Sequence, residues 1–221
     1  MSAIKTRDLF DLSHTRAALQ LQATVYPWEA LADIGTWIAE IGEALPAERY
    51  DRIAPDVWVA KSAKVAPSAS ITGPCIIGED TEVRHCAFIR GNALIGDGAV
   101  VGNSTELKNV ILFDGVQVPH YNYVGDSILG YRAHMGAGAV TSNVKGDKSL
   151  VVIKCGEERL ETGRKKVGAM LGDFAEIGCG CVLNPGTVIG ARTQVYPLTS
   201  VRGVLPPDSI CKDKDTVVPR K

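Results

Sequence analysis

Aliphatic residues recur at every sixth position over a long stretch of this chain. The anchor positions are Val59, Val65, Ile71, Ile77, Val83, Ile89, Ile95, Val101 and Leu107. A small residue, such as Ala63 or Ala69, stands four positions after nearly every anchor. An α-helix places apolar residues about 3.6 positions apart and a simple strand about 2 apart, so neither element explains a period of six.

A six-residue unit fits a short strand followed by a corner. Three such units close one triangular coil, with the aliphatic anchor inside the prism and the small residue where the chain turns. Successive coils then stack by parallel pairing at about 4.8 Å. The sequence therefore predicts an all-β fold, a parallel β-helix over residues 56–221. A β-sandwich is the alternative, but its strands would not keep one phase over so many residues.

The period slips twice and is then interrupted. It slips by one residue before Leu112 and again before Leu129, and it resumes from Leu171 to Val201. The interruption covers residues of about 142–170, which are polar and charged. Two strand-like runs flank Gly156 within it, and this pattern predicts a hairpin that loops out of the prism. This insertion has two interpretations: a solvated loop, or a lid or intersubunit arm whose cations meet phosphates.

Residues 1–55 lack the six-residue repeat and show helical spacing instead. The apolar positions of the longer predicted helix are Trp28, Leu31, Ile34, Ile38, Ile41 and Leu45. A shorter helix is predicted from Ser13 to Leu21. Because a solenoid needs covered ends, the segment is interpreted as a helical cap over the open first coil. The alternative is a module that binds a partner or gates the substrate.

Composition narrows the possible partners and compartments. With 24 basic and 25 acidic residues the chain has no field that would attract nucleic acid or an anionic membrane. No apolar run reaches the length of about 18 residues that a membrane span needs, and the first residues lack a secretion signal, so a cytoplasmic protein is expected. Six cysteines without paired metal spacing are expected to be reduced, mostly small core residues, with no metal site.

The densest polar cluster coincides with the slips of the period. It covers residues 103–109 and 117–126 and contains Glu106 and His120. Local departures from a regular pattern tend to mark functional sites. An imidazole that titrates near neutral pH suits proton removal from an attacking amine, so His120 is the candidate general base, although a lone histidine is more often structural. Glu106 is placed to orient that imidazole or to hold an ammonium substrate.

Several motifs in this region resemble a known family. They are Arg90-Gly91, Gly102-Asn103-Ser104-Thr105-Glu106-Leu107-Lys108, Val118-Pro119-His120-Tyr121-Asn122-Tyr123-Val124-Gly125-Asp126 and Met135-Gly136-Ala137-Gly138-Ala139-Val140-Thr141-Ser142-Asn143. Residues 88–143 resemble the C-terminal acetyltransferase domain of the bifunctional enzyme that makes UDP-N-acetylglucosamine, a glucosamine-1-phosphate N-acetyltransferase joined to a uridylyltransferase. The resemblance implies a left-handed β-helix, a homotrimer with active sites between subunits, and acetyl-CoA as co-substrate, with no metal required.

The resemblance also implies roles for individual residues. The implied general base is His120, supported by Glu106; the implied sugar-phosphate ligands are Arg90 and Lys108; Tyr123 would contact the sugar and Asn143 would lie near the acetyl group. His134 stands where the family commonly has a sugar-contacting asparagine, whereas Cys179 and Lys148 would lie on the coenzyme A side. The Gly-x-Gly-Thr-Arg opening of the uridylyltransferase is absent, so no uridylyltransferase activity is expected.

Two other functions share the predicted fold. A scaffold or sensor would bind an acyl-CoA or a sugar nucleotide without turnover. A γ-type carbonic anhydrase would hold zinc through three histidines across a subunit edge. His85 and His120 occupy the same hexad phase, but no third histidine follows shortly after the second, and a catalytic zinc needs three good ligands.

Overall fold

Short parallel strands stack into a three-walled prism, as the six-residue repeat predicts. The computed structural model describes residues 4–220. Wall A is formed by Val57–Ala60, Cys75–Ile77, Ala93–Ile95, the second parts of Glu106–Leu112 and Tyr123–Leu129, Ala169–Leu171, Thr187–Ile189 and Val204–Leu205. Wall B is formed by Lys64–Val65, Glu82–Val83, Val100–Asn103, Gln117–His120, His134–Met135, Glu176–Ile177, Gln194–Val195 and Ser209–Cys211. Wall C is formed by Ser70–Ile71, Phe88–Ile89, the first parts of Glu106–Leu112 and Tyr123–Leu129, Val140–Thr141, Val182–Leu183 and Ser200–Val201.

Two antiparallel strands complete the ends of the prism. Tyr50–Ala54 pairs with the first strand of wall A, and Val217–Pro219 pairs with the last strand of wall B. All pairs between successive coils are parallel, so the predicted parallel β-helix is confirmed. Among residues 4–220, no helix is long and apolar enough to cross a bilayer.

The two slips of the repeat shorten the corner between walls C and A, here called the CA corner. Successive coils are 18 residues apart where Cys75 pairs with Ala93, but 17 apart where Ala93 pairs with Val110 and Val110 with Ser127. The lost residue leaves Glu106–Leu112 and Tyr123–Leu129 as unbroken strands around this corner. Asn109 and Asp126 take the turn there in the left-handed region, with φ of 56° and 49°.

Wall A is apolar on its outer face as well as its inner face. Its outward residues Trp58, Ile76, Leu94, Ile111, Ile128, Met170 and Val188 are all buried. A sheet with two apolar faces must be covered on both. The N-terminal segment covers the first part of this wall, because the α-helix Ile34–Glu43 packs on its strands and Gly42 lies against the Trp58 ring with no room for a Cβ.

The N-terminal helices are shorter than the sequence predicts and lie along the prism instead of over its open end. They are the α-helices Thr6–Leu9, Ala18–Gln22 and Ile34–Glu43 and the 3₁₀ helices Leu12–His14 and Pro27–Ala32. Val65, an inward anchor of the first coil, is 37% exposed. The N-terminal segment was expected to cover the first coil, but its helices pack on the outer face of wall A. That apolar face would be exposed to water without them.

The insertion forms the predicted hairpin and covers the rest of wall A. Val152–Cys155 pairs antiparallel with Glu158–Glu161, and Gly156 turns between them with a φ of 60°. Val151 and Ile153 are fully buried, and a Cβ on Gly186 would lie 2.8 Å from Val151 Cγ1. The chain returns to the prism in register, since Ile128 pairs with Met170 across the insertion.

Candidate functional site

Wall C carries a row of polar side chains on its outer face. The strands Phe88–Ile89, Glu106–Leu112 and Tyr123–Leu129 lie in register, so Glu106 stands next to Tyr123 on the following coil. The Arg90 guanidinium reaches the Glu106 carboxylate at 2.6 Å between Nη1 and Oε1. Three of the residues singled out in the sequence thus share one wall.

The shortened CA corner holds a hydrogen-bonded group of polar side chains around Asp126. The Asp126 side chain is 6% exposed, and its Oδ1 lies 3.3 Å from Lys108 Nζ and accepts a hydrogen bond of 3.0 Å from Asn109 Nδ2. Asn143 Nδ2 donates to Asp126 Oδ2 at 2.6 Å and to the Tyr123 hydroxyl at 3.2 Å. A buried carboxylate with this many donors fixes Lys108, Asn143 and Tyr123 relative to one another.

The N-terminal segment supports this polar group from behind. Asn109 Nδ2 also donates to the Leu31 carbonyl at 3.1 Å, and Asn92 Nδ2 donates to Asn109 Oδ1 at 3.3 Å. Burial raises the pKa of Tyr123 above its ordinary value. The phenol therefore stays protonated at neutral pH and can donate a hydrogen bond to a ligand.

His120 lies at the corner between walls B and C, the BC corner. It ends the strand Gln117–His120 opposite Asn103, and the following Tyr121 turns with a φ of 51°. The buried Asn122 fixes this turn: its Oδ1 accepts the His120 N–H at 3.1 Å, and its Nδ2 donates to the Gly136 and Ala139 carbonyls. The imidazole is exposed, and no side chain within residues 4–220 forms a hydrogen bond or ion pair with it.

Glu106 does not pair with His120 within one chain. Its backbone N–H donates to the Asn122 carbonyl, two residues from His120, but its carboxylate pairs with Arg90. The two side chains therefore lie on adjacent sides of one corner.

The other three candidates lie away from wall C. His134 is on wall B, where its Nδ1 is 2.9 Å from Glu176 Oε2 and it lines an acidic cavity of about 760 Å³. Cys179 is exposed at the BC corner, two coils beyond His120, since Gly138 N–H donates to the His120 carbonyl and Gly180 N–H to the Ala137 carbonyl. Lys148 is exposed in the insertion, with its N–H bonded to the Lys145 carbonyl.

One residue of this group was given no role from the sequence. Asp126 bonds directly to two of the predicted ligands, Lys108 and Asn143, and Asn143 in turn donates to Tyr123. The available signal was its position at the second slip of the repeat, the place where Asn109 lies at the first. For metal binding, the described part of the chain contains no converging group of three His, Cys, Asp or Glu side chains.

Comparisons with known proteins place the chain among acetyltransferases. A family model described as the GMPPB C-terminal domain matches residues 71–155. The bifunctional sugar-1-phosphate nucleotidylyltransferase/acetyltransferase of Sulfurisphaera tokodaii is 30% identical over 200 residues, which cover 81% of this chain and 50% of that protein. The chain thus spans about half the length of that curated relative.

A second relative is covered to a larger extent. The uncharacterized acetyltransferase YaiX of Escherichia coli O6:K15:H31 is 30% identical over 156 residues, which cover 71% of this chain and 68% of that protein. The acetyltransferase domain of PglB from Neisseria gonorrhoeae, solved with acetyl coenzyme A, is 17% identical with a TM-score of 0.39 over 81% of this chain and 63% of that one, a likeness too low to carry an argument. From the YaiX match and the stacked coils, the chain belongs to the hexapeptide-repeat acetyltransferases related to the acetyltransferase part of the bifunctional GlmU proteins.

Proposed function

We propose that this chain is an acetyl-CoA-dependent N-acetyltransferase whose acceptor is an amino sugar phosphate of the glucosamine-1-phosphate type. One observation carries the proposal: Arg90, Lys108, Tyr123 and Asn143 lie together on wall C and its CA corner, and His120 lies at the other edge of that wall. Cations, a phenol and an amide suit a sugar phosphate, and an exposed imidazole suits a proton acceptor.

The acceptor binds through charge and hydrogen bonding on wall C. Arg90 and Lys108 are assigned to the phosphate and Tyr123 to a sugar hydroxyl. Glu106 and Asp126 partly neutralise these two cations in the free protein and hold their side chains in place. This support of Arg90 is the role we assign to Glu106, since its carboxylate is on the guanidinium and not on the imidazole.

The proposed reaction is a direct transfer. The acceptor amine attacks the thioester carbonyl of acetyl-CoA, forming the C–N bond, while His120 takes a proton from the nitrogen. Backbone N–H groups stabilise the oxyanion, and its collapse breaks the C–S bond. The proton on His120 then passes to the departing thiolate, which leaves as the coenzyme A thiol. Asn143 is assigned to the acetyl group.

The path of coenzyme A is assigned to the BC corner. Cys179 lies at this corner two coils beyond His120, about 9.6 Å along the prism, which suits the extended pantetheine arm. His134 on wall B lies outside the wall C group, so a contact with the acceptor would have to be made in a neighbouring copy. Lys148 lies in the insertion, away from the BC corner, so its predicted contact with coenzyme A would likewise have to be made in a neighbouring copy.

We infer that the chain functions as a homotrimer with the BC corner of one copy against its neighbour. Tyr121 is 65% exposed and Leu198 is 84% exposed, and both lie at this corner. Exposed apolar residues beside an exposed candidate base support an intersubunit site there.

The test of the function measures thiol release from acetyl-CoA with glucosamine-1-phosphate as acceptor. We expect turnover by the wild type and a loss of about 10²–10⁴-fold in His120→Ala. His85→Ala is the matched control, because His85 is exposed at the same corner two coils before His120, with its Nδ1 on Ser68. Binding of acetyl-CoA without thiol release across several amino sugars would favour the scaffold and refute the enzyme.

A further inference from the structure

The hairpin and the last coils enclose a cationic pocket that the proposed reaction does not use. This pocket has a volume of about 210 Å³ and lies between the hairpin and the CA corner. Four lining side chains are cationic, Lys145, Lys154, Arg159 and Arg202, and none of the lining residues is acidic.

The positive charges of the pocket are largely uncompensated within the described chain. Lys154 stands directly opposite Arg159 in the antiparallel ladder, an arrangement that destabilises a hairpin when both side chains carry the same charge. No ion pair within residues 4–220 joins Lys154, Arg159 or Arg202 to a carboxylate, although Glu161 lies on the same face opposite Val152. Lys145 reaches only Asp147, at 3.6 Å.

The shape of the pocket brings these cations together. Gly186 and Gly203 form its floor with φ of 77° and 85°, and a Cβ on Gly203 would lie 3.0 Å from the Lys154 carbonyl oxygen. The hairpin therefore rests directly on corner backbone. Arg202 is held at the rim because its Nη2 donates to Asn184 Oδ1 at 3.1 Å.

We propose that this pocket binds a phosphate group of a small-molecule ligand. Two guanidinium groups offer forked donors to phosphate oxygens and the two lysines add point charges. A bound anion also removes the repulsion between Lys154 and Arg159.

The position of the pocket leaves two sources for the phosphate. Thr141 pairs with Leu183 and Leu183 with Val201, so the pocket lies one to two coils beyond Asn143, about 5–10 Å along the prism. One source is a phosphate of a coenzyme A molecule whose pantetheine arm lies along the BC corner of a neighbouring copy, an assignment that rests on the proposed function. The other is a free phosphorylated metabolite, which needs no turnover.

The first test uses inorganic pyrophosphate as the probe and calorimetry as the readout. We expect the wild type to bind it and the double variant Lys154→Gln/Arg159→Gln to bind about a hundredfold more weakly, at about tenfold for each lost charged donor. Lys165→Gln is the control, since Lys165 is an exposed cation of the same insertion that does not line the pocket. Absence of wild-type binding, or equal binding by the double variant, overturns the site.

A second measurement separates the two sources. If the double variant raises KM for acetyl-CoA about tenfold and leaves KM for acetyl-dephospho-CoA unchanged, the ligand is the 3′-phosphate of coenzyme A. If both KM values stay at the wild-type level while pyrophosphate binding is lost, the ligand is a free phosphorylated metabolite. Failure of the acetyltransferase proposal would show separately, as no thiol release by the wild type, and would leave the pyrophosphate result standing.

Discussion

Asp126 determines how the side chains of the CA corner are held. Its buried carboxylate receives Asn109 and Asn143 and lies beside the Lys108 ammonium. An asparagine at this position would present an amide N–H₂ to one of these donors and would leave Lys108 without its counter-charge. Hydrogen bonds to a buried charged group contribute more than neutral ones, so this residue matters beyond its size.

We expect Asp126→Asn to lower the free energy of unfolding by about 2–3 kcal/mol, measured by urea denaturation. The matched control is Asp215→Asn, because the Asp215 side chain is 76% exposed and its loss should change stability by no more than about 0.5 kcal/mol. If Asp126→Asn unfolded at the same urea concentration as the wild type, the carboxylate would not be what organises this corner.

At the residue scale, sequence patterns locate a site more readily than they connect its members. The slips of the repeat coincide with the polar cluster, and the structure places Tyr123 and Lys108 of that cluster on wall C and at its CA corner. The sequence patterns could not show that Glu106 pairs with Arg90, because the choice between two nearby partners depends on side-chain rotamers. His134 directly precedes the inward anchor Met135 on wall B. Its position in the repeat therefore already separates it from the polar side chains of wall C.

Among the elements, the hairpin acts as a cover for the outer face of wall A. Ile153 is fully buried against the last coils, whereas Leu150, three residues earlier, is 47% exposed. Removing a buried aliphatic side chain loses its transfer free energy and leaves a cavity. The apolar side of the hairpin should therefore be as sensitive to truncation as the interior of the prism.

We expect Ile153→Ala to lower the free energy of unfolding by about 2–4 kcal/mol in chemical denaturation. Leu150→Ala provides the comparison within the same insertion and should remain close to wild type. Equal effects of the two substitutions would mean that the hairpin is not a structural cover.

The N-terminal segment is fastened to the prism by Arg16. Its Nη2 donates to the Tyr50 hydroxyl at 2.5 Å and to Asp97 Oδ2 at 3.0 Å. Burial raises the pKa of Tyr50 to about 12. Since the unfolded chain ionises this phenol near its ordinary pKa of about 10, the folded state binds more protons between the two values, and stability falls as pH rises through that window.

We expect the free energy of unfolding to decline between about pH 10 and 12 in the wild type, and the decline to be shallower in Tyr50→Phe. Urea titrations at fixed pH values measure both slopes. Identical slopes in the wild type and Tyr50→Phe would exclude Tyr50 as the source of this pH dependence.

At the element scale, periodicity predicted walls, slips and hairpin, but not which outer face needed covering. The inward anchors follow the six-residue repeat, whereas the buried outward row of Trp58, Ile76 and Leu94 adds a second apolar column beside it. The N-terminal helices cover that column. A rule that directs helices to the ends of a solenoid does not detect a side wall with two apolar faces.

For the whole molecule, the proposed trimer depends on the BC corner. Leu198 projects there, 84% exposed, beside the row that contains His120. A carboxylate at position 198 would lose its hydration in an intersubunit contact, which costs free energy. In a free monomer it would stay hydrated at no such cost.

We expect the wild type to elute with about three times its chain mass of 23.5 kDa and Leu198→Asp to shift toward the monomer, measured by size-exclusion chromatography with light scattering. Leu19→Asp is the matched control, since Leu19 is 80% exposed on the N-terminal helix Ala18–Gln22. A monomeric wild type, or a Leu198→Asp variant that stays trimeric, would contradict the proposed interface.

The pairing of Ile128 with Met170 has a consequence for how such a chain can diversify. The insertion leaves the prism after Val140–Thr141 of wall C and rejoins it at Ala169–Leu171 of wall A in the same coil, so its length does not alter the pairing of the coils above and below. The insertion could therefore be replaced by another hairpin at this corner without a change in the β-helix, provided that the new hairpin still covered wall A. Such a replacement could change the ligand preference while the scaffold stayed the same.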